Sequence, residues 1–343
     1  MTESAVNRRV LLAAYADGIP EAANFELAEA PVPTPDDGAF LVCNRYLSVD
    51  PAQRGYASAV VNYADPVPLG GVMRGFALGD VVASKHPDYA VGESIVGAFG
   101  WQDYAVSDGG DVLFRVAPDI EPRSAALGIL GLSGMTAFFG LLDIGRPRAG
   151  ETVVVSTAAG SVGSAVGQIA KIEGCRAVGI TGGDAKVALC TGAYGYDAAV
   201  DYKADGLDAA LGAACPEGID VYFDNTGGAI SDTVLGRLNI GGRIVVCGTA
   251  ATASWDPPPV GPRIERQILV RRARMQGLII FDYKDRFAEA QSQLAGWLKD
   301  GRLAFREEML DGIETAPGAI RRLYDGRNMG KLMIRLRPDG EGG

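Results

Sequence analysis

Between Glu151 and Cys175 the chain reads ETVVVSTAAGSVGSAVGQIAKIEGC, and no other stretch restricts the fold as tightly. Thr152-Val153-Val154-Val155 is a β-branched run long enough for one buried strand. Ala158-Ala159-Gly160-Ser161-Val162-Gly163 follows. A helix-period segment comes next, with Val162, Val166, Ile169 and Ile172 on its inner face. Strand, glycine turn and helix in that order are what a dinucleotide-binding turn requires. Gly160 lets the backbone approach a pyrophosphate, and Gly163 lets the helix pack close to the strand. The helix N-terminus offers free N–H groups to phosphate. Ala158 stands where G-x-G-x-x-G has its first glycine, so by itself the motif also fits a glycine-rich turn in any α/β protein.

The chain beyond the turn supplies context. Strands are predicted over 176–181, 198–202, 220–223, 243–247 and 275–281, with helices over 184–189, 207–214 and from 228 to about 238. The fourth strand ends in Asp224-Asn225-Thr226-Gly227-Gly228. Strands alternating with helices at this spacing imply a parallel sheet with helices on both faces. Residues 285–299 form an amphipathic helix with Phe287, Ala290, Leu294 and Trp297 on one side. Residues 1–124 are instead rich in Pro, Gly and short β-type runs at 39–43, 80–84 and 94–98, which reads as an antiparallel β domain. An apolar stretch over 124–144 reads as one buried helix at the junction. The last forty residues return to strand-like runs, including 331–336.

Composition excludes several partners. A net charge of −10 over 343 residues argues against nucleic acid. The charge-free run 125–142 is long enough to raise a membrane span, but Gly128, Gly131, Gly134 and Gly140 interrupt it and no second such run exists. The apolar run 10–14 is too short for a signal peptide. Cys43, Cys175, Cys190, Cys215 and Cys247 are scattered without a C-x-x-C pair, as expected of reduced thiols in a cytoplasmic protein. With His86 as the one histidine, a zinc site of ordinary type is not expected.

Several blocks in order resemble the medium-chain dehydrogenase/reductase superfamily, and more closely its zinc-independent branch of alkenal double-bond reductases and prostaglandin reductases. They are Tyr46-Leu-Ser-Val-Asp-Pro51, Gly100-Trp-Gln-Asp-Tyr104, Leu127-Gly-Ile-Leu-Gly131 with Gly134-Met-Thr-Ala137, the glycine turn and its helix, Phe223-Asp-Asn-Thr-Gly-Gly228, and Asn328-Met-Gly-Lys331. The resemblance implies an α/β fold: a Rossmann doubly wound parallel-sheet domain over 125–300, and a GroES-like antiparallel β domain built from 1–124 and 301–343. It also implies NADPH-dependent reduction of the C=C bond of an α,β-unsaturated ketone or aldehyde, by hydride transfer to the β-carbon, and a homodimer paired through the Rossmann domains.

The residues bear on the cofactor independently. NAD sites usually carry Asp or Glu at the tip of the second strand to bind the ribose 2′-OH. Here the tip is Ile180-Thr181-Gly182-Gly183, and Asp184 comes later. Lys186 stands where a cation reaches a 2′-phosphate, although a solvated lysine in a first helical turn looks the same. The resemblance assigns 2′-phosphate recognition to Lys186 and to Tyr202 of the Asp-Tyr-Lys block. It places the cofactor against Ala159, Gly160, Ser161, Val162, Gly163, Thr181, Gly182, Asn225, Cys247, Gly248 and Asn328. Met135 and Thr136 line the nicotinamide pocket by the same analogy, with core packing the competing reading for Met135.

On the substrate side, Tyr46 of the Tyr-Leu-Ser-Val-Asp-Pro block is expected to face the acceptor, against the plainer reading of a half-buried core tyrosine. Asp50 and Arg54 look structural, pairing to shape the loop. The resemblance breaks after the fifth strand. Where many members carry a substrate-binding tyrosine past Cys-Gly, this chain has Ala253 within Cys247-Gly-Thr-Ala-Ala-Thr-Ala-Ser-Trp255. A ribose hydroxyl, water, Tyr283 or another tyrosine then replaces the missing donor, and Trp255 alters the rim. Two alternatives stand beside the reductase: an NADPH quinone oxidoreductase, and an NADPH-binding protein with little catalysis.

Overall fold

The structure is a computed structural model that describes residues 6–60, 64–252, 257 and 259–337. Contacts divide the chain into two compact units, Met1–Leu127 with Glu307–Gly343, and Gly128–Arg306.

The first unit opens with the antiparallel pair β1 (Val6–Leu12) and β2 (Phe25–Pro31). It continues through β3 (Phe40–Ser48), the short helix α1 (Gln53–Tyr56), β4 (Ala77–Ser84), β5 (Ser94–Gly97), β6 (Tyr104–Ser107) and β7 (Val112–Arg115). Every residue of β3 is buried, because strands pair along it on both sides and side chains pack over both faces. Phe40, Leu47, Met73, Ile95 and Trp101 form the centre of this core. The hairpin β1–β2 was not evident in the sequence, since Glu26, Glu29 and exposed Leu27 blur the alternation of β2.

The second unit holds α2 (Leu132–Phe139), β8 (Thr152–Ser156), α3 (Ser161–Ile172), β9 (Arg176–Thr181), α4 (Asp184–Thr191), β10 (Ala198–Asp201) and α5 (Leu207–Ala214). It continues with β11 (Ile219–Asp224), α6 (Gly228–Leu235), β12 (Leu238–Val246), α7 (Glu265–Arg271), β13 (Arg274–Gly277) and α8 (Phe287–Lys299). Its six described strands pair in parallel in the order β10-β9-β8-β11-β12-β13. In sequence order that is 3-2-1-4-5-6, the doubly wound arrangement of a Rossmann sheet. The chain then returns to the first unit with β14 (Glu307–Asp311), α9 (Ala316–Tyr324) and β15 (Lys331–Arg335). There the sheet runs β14-β15-β3-β4-β5-β7, with β6 also on β3.

Two expectations change. The apolar stretch 124–144 is not one helix. A 3-10 turn (Arg123–Leu127) precedes α2, and α2 runs on into a π-helical turn (Gly140–Gly145). Gly128 to Gly131 folds back on α2, so a Cβ at Gly134 would lie 1.8 Å from the Ile129 carbonyl oxygen. Apolar periodicity cannot report such a break. The sixth strand stops at Gly277, and Ile280–Arg286 is a 3-10 turn.

Helix α3 packs against the segment before β10 through missing side chains. The Tyr196 hydroxyl donates to the Gly163 carbonyl at 2.6 Å, and a Cβ on Gly167 would lie 1.9 Å from the Tyr196 ring. Tyr196 is 3% exposed and has no room to swing away. The helix-propensity gain of Gly167→Ala, about 0.5–1 kcal/mol, is therefore outweighed by an overpacking cost of about 1–3 kcal/mol. The expected result is a lower urea midpoint at unchanged slope.

Candidate functional site

The connections from β8 and from β11 leave toward opposite sides of the sheet, so their C-terminal ends flank its topological switch point, where nucleotides bind in such folds. One buried carboxylate organises this place. Asp224 accepts hydrogen bonds from the backbone N–H groups of Thr226 (2.9 Å) and Gly227 (2.8 Å), from the Tyr222 hydroxyl (3.0 Å), from Ser231 Oγ (2.5 Å) and from Ser156 Oγ (3.3 Å). Its carbonyl accepts from Cys247 N and Gly248 N at 2.8 and 3.1 Å. The ends of β8, β11 and β12 are thereby tied to one residue.

The glycine turn after β8 is shaped by close approaches. A Cβ at Gly163 would fall 2.3 Å from the Thr157 carbonyl oxygen, and one at Gly160 3.0 Å from Thr157 Cγ2. Thr157 itself is left-handed at φ 53°. Gly160, in extended backbone, precedes α3, and no side chain caps that helix. Ala159 is buried and Gly160, Ser161 and Val162 are half-buried at the mouth of the turn. The uncapped N–H groups of a twelve-residue helix, reached past a glycine, suit a pyrophosphate.

On the facing turn, Asn225 Nδ2 donates to the Ser156 carbonyl at 2.8 Å, and Thr226 and Thr157 share a hydroxyl contact at 3.1 Å. Asn225 thus holds the two turns together through its amide. A Cβ at Gly248 would lie 2.9 Å from the Asn225 carbonyl oxygen, so that position is also one of close backbone approach.

The tip of β9 carries no carboxylate. Thr181 is buried, and its carbonyl accepts from Tyr202 N at 3.0 Å. A Cβ on Gly182 would meet the Tyr202 ring and Lys203 Cε, both at 2.9 Å. Gly183, at φ 88°, opens α4, and Lys186 in its first turn donates its N–H to the Gly183 carbonyl at 3.0 Å. Asp201, at the end of β10, and Asp184, at the start of α4, are acids near this tip. The N–H groups of Gly183 and then of Lys203 hold the Asp201 carboxyl below the usual range. A glycine platform flanked by Lys186, half-exposed Tyr202 and Lys203 fits a phosphorylated ribose better than a bare 2′-OH.

Of the other expected residues, Met135 is fully buried in α2, and Thr136 turns its hydroxyl onto the Leu132 carbonyl at 2.6 Å. Tyr283 stacks on Phe139 with ring centroids 4.6 Å apart, and burial, then Asp143, raise its phenol above its ordinary value. In the first unit, Tyr46 is 6% exposed among Leu78, Val96, Ala126, Leu127 and Met333. Asn328 donates to the Gly330 carbonyl at 3.0 Å. Ala253 and Trp255 lie outside the described residues.

Asp50 has a buried lysine as a partner. Lys331, buried, donates from Nζ to Asp50 Oδ1 (2.5 Å), Ser48 Oγ (2.6 Å) and the Val49 carbonyl (3.3 Å). The Arg54 guanidinium lies over the Tyr324 ring. Lys331 and Asp50 thus join two motif blocks far apart in sequence, which only the β15–β3 pairing brings together. Asp224 and Lys203 also went unmarked as functional residues, though each lies inside a motif block, one starting Asp-Asn-Thr-Gly-Gly and the other ending Asp-Tyr-Lys.

The sheet order and the turn at its switch point define a dinucleotide-binding domain. A family profile described as "N-terminal domain of oxidoreductase" matches residues 8–115, and one described as "Zinc-binding dehydrogenase" matches residues 161–296. The described residues hold no group of three or more His, Cys, Asp or Glu side chains that could hold a metal ion. The chain is 44% identical to the NADPH-dependent curcumin reductase of Escherichia coli, over 97% of this chain and 98% of the relative. It is 38% identical to prostaglandin reductase 1 of Sus scrofa, over 93% and 95%. The solved structure of CurA from Vibrio vulnificus in complex with NADPH superimposes with a TM-score of 0.91 at 41% identity, over 96% of this chain and 99% of that one. The chain belongs to the zinc-independent reductase branch of the medium-chain dehydrogenase/reductase superfamily.

Burial raises the thiols of Cys175 and Cys215 to about 11, and those of Cys190 and Cys247 to about 12. Thiolate is the reactive form, and at neutral pH these groups are roughly 10⁻⁴ to 10⁻⁵ ionised. Thiol chemistry at Cys247 is therefore not expected at neutral pH. A disulfide reagent added to the native protein at neutral pH should label these four slowly, and urea should release them to rapid reaction.

Proposed function

We propose that this protein reduces the C=C bond of α,β-unsaturated ketones or aldehydes with NADPH. The observation that supports this most is the end-to-end similarity to reductases named for curcumin, prostaglandins and 2-alkenals, the last being by name α,β-unsaturated aldehydes. NADPH supplies the hydride. The chain's own part is to bind, orient and exclude water. The turn 159–163 and the N-terminus of α3 receive the pyrophosphate, while Lys186 and Tyr202 read the 2′-phosphate. Thr181, Gly182, Asn225, Cys247 and Gly248 present backbone and amide to the nucleotide, Met135 and Thr136 line the nicotinamide pocket, and Asn328 is a further cofactor-binding residue.

The acceptor oxygen gains charge as hydride arrives and needs a donor. Tyr283, like any ordinary phenol, keeps its proton near neutral pH, and burial raises its value further. It is the donor we assign in the second unit, with Tyr46 assigned to the substrate side in the first.

The test is NADPH oxidation, followed by its near-ultraviolet absorbance, against enals, enones and quinones, with NADH as control. Turnover of enals or enones is expected. Quinone reduction without enone reduction would instead identify a quinone oxidoreductase, and tight NADPH binding without any turnover a binding protein. Lys186→Ala should weaken NADPH about tenfold while leaving NADH nearly unchanged. Equal loss of both would remove Lys186 from 2′-phosphate reading.

A cytoplasmic location fits the five free thiols. A homodimer fits the second unit: β13 is the last strand of the sheet, and Leu269, Val270, Ile279 and Phe281 stand exposed beside it. An apolar sheet edge of this kind needs cover. Solution scattering is expected to give twice the 35.8 kDa chain mass. A monomeric mass would contradict the pairing.

A further inference from the structure

We propose that Lys203 is a third reader of the 2′-phosphate, acting with Lys186 and Tyr202 to set the preference for NADPH over NADH. The inference rests on the cofactor reading above and extends it to a residue outside that set.

Three features place this lysine. Its backbone is pinned, because Lys203 N donates to Asp201 Oδ1 at 2.9 Å at the end of β10. Its side chain bends over the tip of the neighbouring strand, with Cε 2.9 Å from where a Gly182 Cβ would sit. A surface lysine free to extend into water has no reason to lie across a glycine. Here the absence of a side chain at Gly182 makes the space that the Lys203 stem and the Tyr202 ring share.

The third feature is the fate of Asp201, the acid that ends β10. Asp201 would repel a phosphate if its carboxylate faced one. It accepts instead from Gly183 N–H and Lys203 N–H, and the Lys203 charge adds to the lowering of its carboxyl. One carboxylate thereby fixes both turns that frame the glycine platform. In a chain of net charge −10, anion binding depends on such local cations.

Lys203 and a phenol over a glycine platform, with Lys186 in the first turn of the adjoining α4, suit a dianionic phosphate monoester on a ribose. They offer little to a 2′-OH, which NAD sites bind with a carboxylate.

The experiment measures dissociation constants by calorimetry for NADP⁺ and NAD⁺, and for 2′,5′-ADP and 5′-AMP, with the wild-type protein, Lys203→Met and Lys203→Arg. Lys203→Met is expected to weaken NADP⁺ and 2′,5′-ADP about tenfold, and to leave NAD⁺ and 5′-AMP unchanged. It should also make NADP⁺ binding less sensitive to salt. Lys203→Arg should keep most of the preference. Lys203 is exposed, so an unaltered melting temperature is expected for both variants. Unchanged NADP⁺ affinity in Lys203→Met, or equal loss for NADP⁺ and NAD⁺, would overturn the assignment while leaving Lys186 and Tyr202 as readers. A wild-type protein that binds NAD⁺ as tightly as NADP⁺ would overturn the cofactor reading itself.

Discussion

The nucleotide-binding unit depends on one buried carboxylate. An ionised side chain away from water costs several kcal/mol unless it is fully hydrogen-bonded. Asp224, 4% exposed, is satisfied by hydroxyl and N–H donors drawn from β8, β11, the turn beyond β11 and α6. None of these donors can leave without stranding part of the charge. The turn 225–228 is therefore folded around the carboxylate, and the glycine turn after β8 is held opposite it through Ser156, Asn225 and the Thr157–Thr226 contact. These hydrogen bonds fix the turns on either side of the switch point, and a pyrophosphate site needs backbone donors placed in advance.

Around that anchor, much of the chemistry is done by side chains that are missing. Gly163 lets α3 approach the Thr157 carbonyl, Gly167 admits the Tyr196 ring, and Gly182 leaves room for Tyr202 and Lys203. The first two set where the positive end of α3 lies. The third sets where cations gather in an otherwise acidic protein. Shape and electrostatics meet at the tip of β9, where the strand end lacks a carboxylate and Gly182 lacks a side chain.

The first unit has its own anchor in the buried ion pair of Lys331 with Asp50. Three acceptors use the three donors of the ammonium, which offsets its desolvation. The blocks at 46–51 and 328–331 were each visible as short motifs. Their joining was not, because nothing in either sequence marks its partner across some 280 residues. Spacing alone suggests a local partner for Asp50 such as Arg54, whereas the Lys331 contact depends on the β15–β3 register.

The sequence by itself determined the alternation of strands and helices, the glycine turn, the acid-free tip and the family blocks, because each is written in local periodicity or in backbone allowance. Strand ends marked the places of Lys186 and Asn225, while the family resemblance marked Tyr202. Tertiary structure alone decided that the apolar run 124–144 breaks at its glycines, since the break is imposed by contact of Gly134 with the Ile129 carbonyl. It alone turned Asp224 from a motif letter into the hub of three strand ends. It also laid Lys203 across Gly182, because which side chains share a strand tip is settled only when β10 pairs with β9.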